Sequence, residues 1–411
     1  LSCDEWGTIK FFLSPDISVI LPKFLNFMVY AFVQGDWQRM IYLDYNATTP
    51  VKPAVRVAMM EAMERHGNPS SVHRYGRIAR RYVEDARAAV AALAGVKPAQ
   101  IVFAGSGTES NNTVLNGHAD VPHILSVIEH DSVRACAKKP ILLPVTHQGV
   151  VDVVAAESIL QSVPSGALVS VMLVNNETGV IQPVAELSQL AKKYGHRMHS
   201  DVVQAAGRLP IDFTALGVDF LTLSAHKIGG PQGIGALVMR EGAGLPALIK
   251  GGGQEMYRRA GTENVPAIIG FGIAALLAAD DLRDMPRLAA SRDDLQAQLI
   301  KIARDDAVVL GIDAPRVANT LCLAMRGVSS ETQVMAMDLA GVAVSAGAAC
   351  SSGKVRASHV AQAMGYNDGV ARSVLRISLG WQTKPEDLTR CADAWRTMYN
   401  RNVADKKAHA A

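Results

Sequence analysis

Aromatic residues are scarce in this 411-residue sequence: Phe, Trp and Tyr together make 5%. Those present do not interleave with basic runs, as they would on a surface that stacks nucleic-acid bases. Excess charge is missing too. Lys and Arg total 41 against 38 Asp and Glu, a formal +3, which excludes the strong basic field of a nucleic-acid-binding chain. Only five cysteines occur, Cys3, Cys136, Cys322, Cys350 and Cys391, and no two stand at Cys-x-x-Cys spacing, which excludes the usual structural zinc site. So odd and dispersed a set also excludes a disulfide framework and points to a reducing compartment, here the cytoplasm. What is abundant is apolar residue content, 49%, with 34 glycines and 18 prolines. That is the texture of a turn-rich α/β enzyme with buried cores, not of a disordered chain.

The most apolar stretch is ISVILPKFLNFMVYAFV, residues 17–33. A spanning helix needs about 20 apolar residues, and Pro22, Lys23 and Asn26 interrupt this one, so no stable membrane span is expected. Asp4 and Glu5 stand where a signal peptide would carry basic residues, and no Ala-x-Ala site follows. Two readings stand for residues 1–39: an extension outside the native protein, which then begins at Met40, or a segment lying on a membrane surface.

From residue 40 onward, strand-like and helix-like runs alternate. Val55, Met59 and Met63 with Ala58 and Ala62 make one apolar helical face, and Ile78, Tyr82, Ala86, Ala89 and Leu93 another. Short apolar runs begin at 100, 123, 141, 167, 219 and 235. Pro183 opens a helix and Gly195 closes it. Such alternation predicts an α/β fold with a mostly parallel sheet covered on both faces, its ligands at the carboxyl ends of the strands. From about 282 the texture changes to a smaller α+β unit: a charged helix, the strand ANTLCLAM, a helix over 331–340, the strand LRISL and a final helix bearing Leu388, Cys391, Trp395 and Met398. The expected division is a large domain over 52–281, a small domain from 40–51 and 282–400, and a tail over 401–411.

The polar residues at the strand ends carry chemistry. In SAHKIGGPQGIG, Lys227 follows an apolar strand and precedes a glycine-rich turn. A lone lysine is ordinarily a surface residue, but one whose pKa falls on burial forms imines with carbonyl cofactors. Asp201 in HSDVVQAAG lies 26 residues earlier. Alone it would be a helix cap, yet a carboxylate there would keep a pyridinium nitrogen protonated, as a pyridoxal phosphate site requires, and Gln204 would reach the ring hydroxyl. GSGTES, residues 105–110, ends a strand and opens a helix, whose free N–H groups suit a phosphate. Ser224 and His226 would add contacts. His130 in SVIEHDSV could stack on a planar ring, and Asn176 in VNNETG follows another strand.

Taken together, IYLDYNATTP, GNPSSVHRYG, IVFAGSGTESNN, VNNETGVIQP, HSDVVQAAGRLPID, SAHKIGGPQGIGAL, RRAGTEN, SAGAACSSG and LRISLG resemble the cysteine desulfurases of the class V aminotransferase group, in that family's order over residues 40–400. The resemblance implies a type I pyridoxal-phosphate fold with a seven-stranded, mostly parallel sheet, and release of sulfur from L-cysteine to give L-alanine and an enzyme persulfide. It implies that Lys227 carries the cofactor and acts as base, that Gly107, Thr108, Ser224 and His226 hold the phosphate, that His130 stacks on the ring and carries protons, that Asp201 pairs with the ring nitrogen and that Asn176 and Gln204 contact its hydroxyl region. Arg376 would hold the substrate carboxylate together with Asn176. Thr262 would reach the phosphate of a neighbouring subunit, so a homodimer is expected.

Cys350 would take the sulfur. Its neighbours Ala348, Ala349, Ser351 and Ser352 cannot pack a core, so SAGAACSSG is expected to be an exposed loop suited to a nucleophile. The following segment has the length of the long-loop group, which hands sulfur to scaffold partners. Cys350 would meet metal only there, by passing its persulfide to an iron–sulfur cluster shared with a scaffold. Ala346, Ala348, Gln232, Val202 and the segment KVRASHV depart from the family's usual residues without removing a catalytic group. A selenocysteine lyase, another enzyme of the same fold, or a non-enzymatic sulfur-relay scaffold are the rival readings.

Overall fold

The computed structural model describes residues 40–347 and 356–410. Residues 1–39 and Cys350 lie outside the described residues. From Tyr42 onward the described residues form one compact unit. Its centre is a seven-stranded sheet built of β1 (Ile101–Ala104), β2 (His123–Ser126), β3 (Ile141–Leu143), β4 (Leu168–Ser170), β5 (Arg197–Asp201), β6 (Phe220–Ser224) and β7 (Gly235–Met239), in the spatial order β1-β7-β6-β5-β4-β2-β3. Neighbours pair in parallel except at β7, which runs against β1 and β6. The carboxyl ends of β1, β2, β4, β5 and β6 therefore share one edge, and the loops leaving them carry the site. Apart from the exposed Arg197 at the start of β5, the interior strands are buried, as strands covered on both faces must be.

A second, four-stranded antiparallel sheet contains β8 (Ala307–Val309), β9 (Thr320–Met325), β10 (Ser345–Ala346) and β11 (Val374–Ser378), in the order β10-β11-β9-β8. The segment after Tyr42 joins it: Leu43 N–H donates to Ala343 O and Ser378 N–H to Leu43 O. The final helix, Pro385–Ala410, buries Leu388, Cys391, Trp395 and Met398, the face the sequence predicts.

Helices differ from the pattern in two instructive ways. In α1 (Pro53–Glu64) Val55 and Ala62 are buried but Met63 is 65% exposed. In α2 (Arg74–Ala94) the buried face is Ala79, Val83, Ala86, Val90 and Ala94; it shares Ala86 with the predicted stripe and otherwise lies one residue along from it, and Ile78 is exposed. Small residues face the neighbouring helix because backbones approach closely there: a Cβ added at Gly272 would stand 2.7 Å from the Ala86 Cα. The change of texture at 282 is not a break. A single helix, Val265–Ala303, runs through it with Pro286 inside. Its first half is long and apolar enough by composition to cross a membrane, but Ala267, Ile268, Phe271, Ala274 and Ala275 are packed into the main core.

Candidate active site

Along the shared carboxyl edge opens a cavity of about 850 Å³, lined by residues from five strand ends and from the second sheet. Lys227 sits just past β6 in a short 3₁₀ turn, and its Nζ donates to Asn46 O at 2.6 Å and Ala47 O at 2.8 Å. Burial, followed by the charges of Arg376 and Arg208, pushes its pKa down to about 7. The site thus holds an amine poised to be neutral near physiological pH.

Asp201 ends β5. Its Oδ2 accepts from Asn111 Nδ2 at 2.8 Å and its Oδ1 from Val203 N–H at 2.9 Å. The same Asn111 amide donates to Ser132 Oγ at 2.8 Å. His130 caps the turn after β2, and its Nδ1 accepts the Ser132 N–H at 3.1 Å. An acceptor at Nδ1 places the proton of the neutral ring on Nε2. Gly107 and Thr108 form the first turn of the helix Gly107–Gly117, behind a Ser106 cap whose Oγ accepts Glu109 N–H at 3.1 Å. Helix first-turn N–H groups lack intrahelical acceptors, and here they border the cavity. The backbone is crowded at this point: a Cβ on Gly235 would lie 2.6 Å from the Ser106 carbonyl carbon. His226 Nδ1 lies 3.2 Å from Thr48 Oγ1, and burial pushes its pKa down to about 4, so it is neutral.

Arg376 lies on β11, an interior strand, and is buried. Its Nη2 pairs with Asp44 Oδ1 at 2.8 Å and its Nη1 donates to Asn176 O at 2.9 Å, while its buried Nε has no partner. Gln204 Nε2 donates to Asn46 O at 3.0 Å. Of the residues singled out in the sequence, Lys227, His130, Gly107, Thr108, Asn176, Asp201, Gln204, Ser224, His226 and Arg376 all line this one cavity.

Thr262 does not. It is exposed and outside the cavity lining. The turn before it is strained, with Glu255, Met256 and Tyr257 at φ 47°, 57° and 63°. Glu255 anchors that turn: its buried carboxylate takes two bonds from Arg87, at 2.7 and 2.8 Å, and one from Phe103 N–H at 2.8 Å. Removing one partner of a buried pair costs about 3–5 kcal/mol. Glu255→Ala is expected to destabilise the fold by that order, read as a lower urea midpoint. An unchanged midpoint would show that the pair does not hold the turn.

Sequence reading missed Asn46, Asp44, Asn111, Ser132 and Arg208. Asp44 and Asn46 lie in IYLDYNATTP, yet nothing in a single chain says that a backbone carbonyl 181 residues away will meet Lys227.

The donor set fits a planar, phosphate-bearing carbonyl compound: a reactive amine, a carboxylate, free helix N–H groups and an aromatic ring around one cavity. Residues 41–391 match the aminotransferase class-V family. The chain belongs to that family. It is 39% identical over 371 residues to the cysteine desulfurase IscS of Dictyoglomus turgidum, covering 87% of this chain and 93% of the relative. It is 38% identical to an IscS-like cysteine desulfurase of Mycobacterium tuberculosis, covering 85% and 93%. Among solved structures, a NifS-like protein from Rickettsia africae superposes with a TM-score of 0.83 at 35% identity, over 88% of this chain and 99% of that one. The family's cofactor is pyridoxal phosphate, and the seven-stranded fold is the one these class V aminotransferase relatives share.

Proposed function

We propose that this cavity is where sulfur is taken from L-cysteine and passed to Cys350, leaving L-alanine and a protein persulfide. The observation that carries the reading is Lys227, a half-buried amine pushed down to about 7 in one cavity with Asp201 and Arg376. Lys227 would hold the cofactor's carbonyl carbon. Gly107, Thr108, Ser224 and His226 would hold its phosphate, and Asp201 its ring nitrogen. His130 would lie on its face, and Asn176 and Gln204 beside its hydroxyl. Thr262, exposed and away from its own cavity, would complete the phosphate site of a second copy in a homodimer. When bound, pyridoxal phosphate supplies a ring that accepts the electron pair released at the substrate Cα.

The chain does the rest. Arg376 orients the substrate carboxylate with its guanidinium. The Lys227 amine takes the Cα proton, which its lowered pKa permits near neutrality. His130, with its proton on Nε2, relays protons between thiol groups. The Cys350 thiolate attacks the substrate sulfur. An S–S bond forms as the Cβ–S bond breaks, the electron pair stays with carbon, and protonation makes the methyl group of alanine. The described cysteines suit this role badly. Cys322 and Cys391 are buried with thiols pushed up by burial, Cys391 to about 12, and such thiols are inert.

Three free cysteines among the described residues fit a cytoplasmic setting. The sulfur would go to an iron–sulfur scaffold, including one serving nitrogenase clusters, or to another thio-cofactor acceptor, and Cys350 would meet a cluster only through its persulfide. Borohydride treatment of the yellow protein, followed by peptide mapping, tests the reading: a pyridoxyl group is expected on Lys227. A label on any other lysine refutes the assignment. Alanine release assayed from cysteine and from selenocysteine side by side separates desulfurase from lyase.

A further inference from the structure

Outside the lining of that cavity lies a buried arginine that the reaction described above does not use; together with Lys227 it lines a second, smaller cavity. Arg208 is 6% exposed and stands in the turn that follows β5. Its Nη1 donates to Gln204 O at 2.9 Å and makes a close contact with Gln204 Oε1, and its Nη2 lies 3.4 Å from Tyr45 O. Among the described residues no carboxylate forms an ion pair with it. The acid nearest in charge effect, Asp281, is held by Lys52 at 2.6 Å. A buried cation without a counter-ion is expensive, and an apolar side chain of similar volume would remove that cost. Its presence therefore calls for a use.

The hydrogen bonds show one. With Oε1 of Gln204 taken by Arg208, the amide can only turn its Nε2 the other way, toward Asn46 O at 3.0 Å. That same carbonyl accepts Lys227 Nζ at 2.6 Å. Asn46 is tied down on its other sides as well, by Ser378 Oγ to its N–H at 2.9 Å and by Thr320 Oγ1 to its side chain at 2.9 Å. A continuous line of contacts thus runs from Arg208 through Gln204 and the Asn46 carbonyl to the lysine amine.

We propose that Arg208 is a positioning residue for Lys227, fixing the Asn46 carbonyl against Nζ through Gln204 and setting an uncompensated positive charge beside the amine. A like charge nearby disfavours the ammonium form. The other groups that act on this amine are Arg376, which works in the same direction, and Asp44 and Asp201, which oppose it. His226, its neighbour in the chain, is neutral near pH 7. Two acids would draw the lysine back toward its ammonium form, and Arg376 is already paired with one of them, Asp44. Arg208 is the unpaired charge that offsets the remainder.

The inference rests on Lys227 being the cofactor-bearing residue, but its test does not. Full-length chain freed of pyridoxal phosphate is labelled with trace acetic anhydride across pH 5 to 11, and the Lys227 peptide is quantified by mass. Wild type should titrate near pH 7. Arg208→Met and Arg208→Gln, which remove the charge, should each raise the midpoint by about one unit, a tenfold change in proton affinity. Arg208→Lys, which keeps the charge, should restore the wild-type value. A folded Arg208→Met or Arg208→Gln protein with an unmoved midpoint overturns the proposal. Should neither fold, Arg208→Lys decides alone: a wild-type midpoint supports the proposal and a raised one overturns it. Failure of the cofactor assignment would show elsewhere, as a borohydride label off Lys227 while the charge-removing variants still raise its midpoint.

Discussion

Cys350→Ala is expected to lower alanine release from cysteine by several orders of magnitude while leaving cofactor attachment at Lys227 intact. The two steps belong to different groups. In the proposed reaction, cofactor attachment and removal of the Cα proton would need only the amine that sits on the Asn46 and Ala47 carbonyls, whereas breaking the Cβ–S bond would need a thiolate to take the sulfur. The variant should still be yellow and should still change its visible spectrum on addition of cysteine. Wild type given cysteine without reductant should gain the mass of one sulfur at Cys350 and none at Cys136, Cys322 or Cys391. These three cannot substitute, because burial pushes each thiol up and so keeps it protonated at neutral pH. Near wild-type turnover of cysteine by Cys350→Ala would sink the persulfide mechanism and favour a lyase in which sulfur or selenium leaves unaided.

The second large effect concerns Asp201. Its carboxylate is held rigidly by Asn111 and by the Val203 N–H, so its charge is aimed into the cavity without reorganisation during the reaction. Removing a preorganised electrostatic group of this kind costs about 3–4 kcal/mol at the transition state, or roughly 10²–10³-fold in kcat. Asp201→Ala should show that loss and still yield a pyridoxyl label on Lys227 after borohydride. Asn111→Ala, which only loosens the carboxylate, should lose less. If Asp201→Ala kept wild-type kcat, the carboxylate would be serving the fold alone, as a cap for the turn that follows β5.

Much of the site could be read from the sequence because its residues stand where local pattern changes. Lys227, Asp201, Asn176, His130 and Gly107 each follow a short apolar run, and in a parallel sheet such positions gather at one edge. Period and polarity are local properties, so the strands, the glycine-rich turns and the apolar face of the last helix were legible without coordinates. Apart from Ala86, the stripe on α2 was misplaced by one residue because close helix packing selects small side chains over large ones, and Ala79 carries a weaker hydropathic signal than Ile78. Only the charged part of the helix Val265–Ala303 was read as a helix because its composition changes midway, although its backbone continues through Pro286.

Chemical identity, then, was determined by the sequence itself: a lysine after an apolar strand, a carboxylate, an arginine, a glycine-rich turn and a thiol in a small-residue segment, in the order of one family. Only the tertiary structure decided how they are tuned. The lysine is pushed to about 7 by burial and by Arg376 and Arg208, Arg376 is held by Asp44, and Gln204 is turned by Arg208. Desolvation and Coulomb interaction depend on distance in space, and residues 44, 46, 208, 227 and 376 meet only when the two sheets come together.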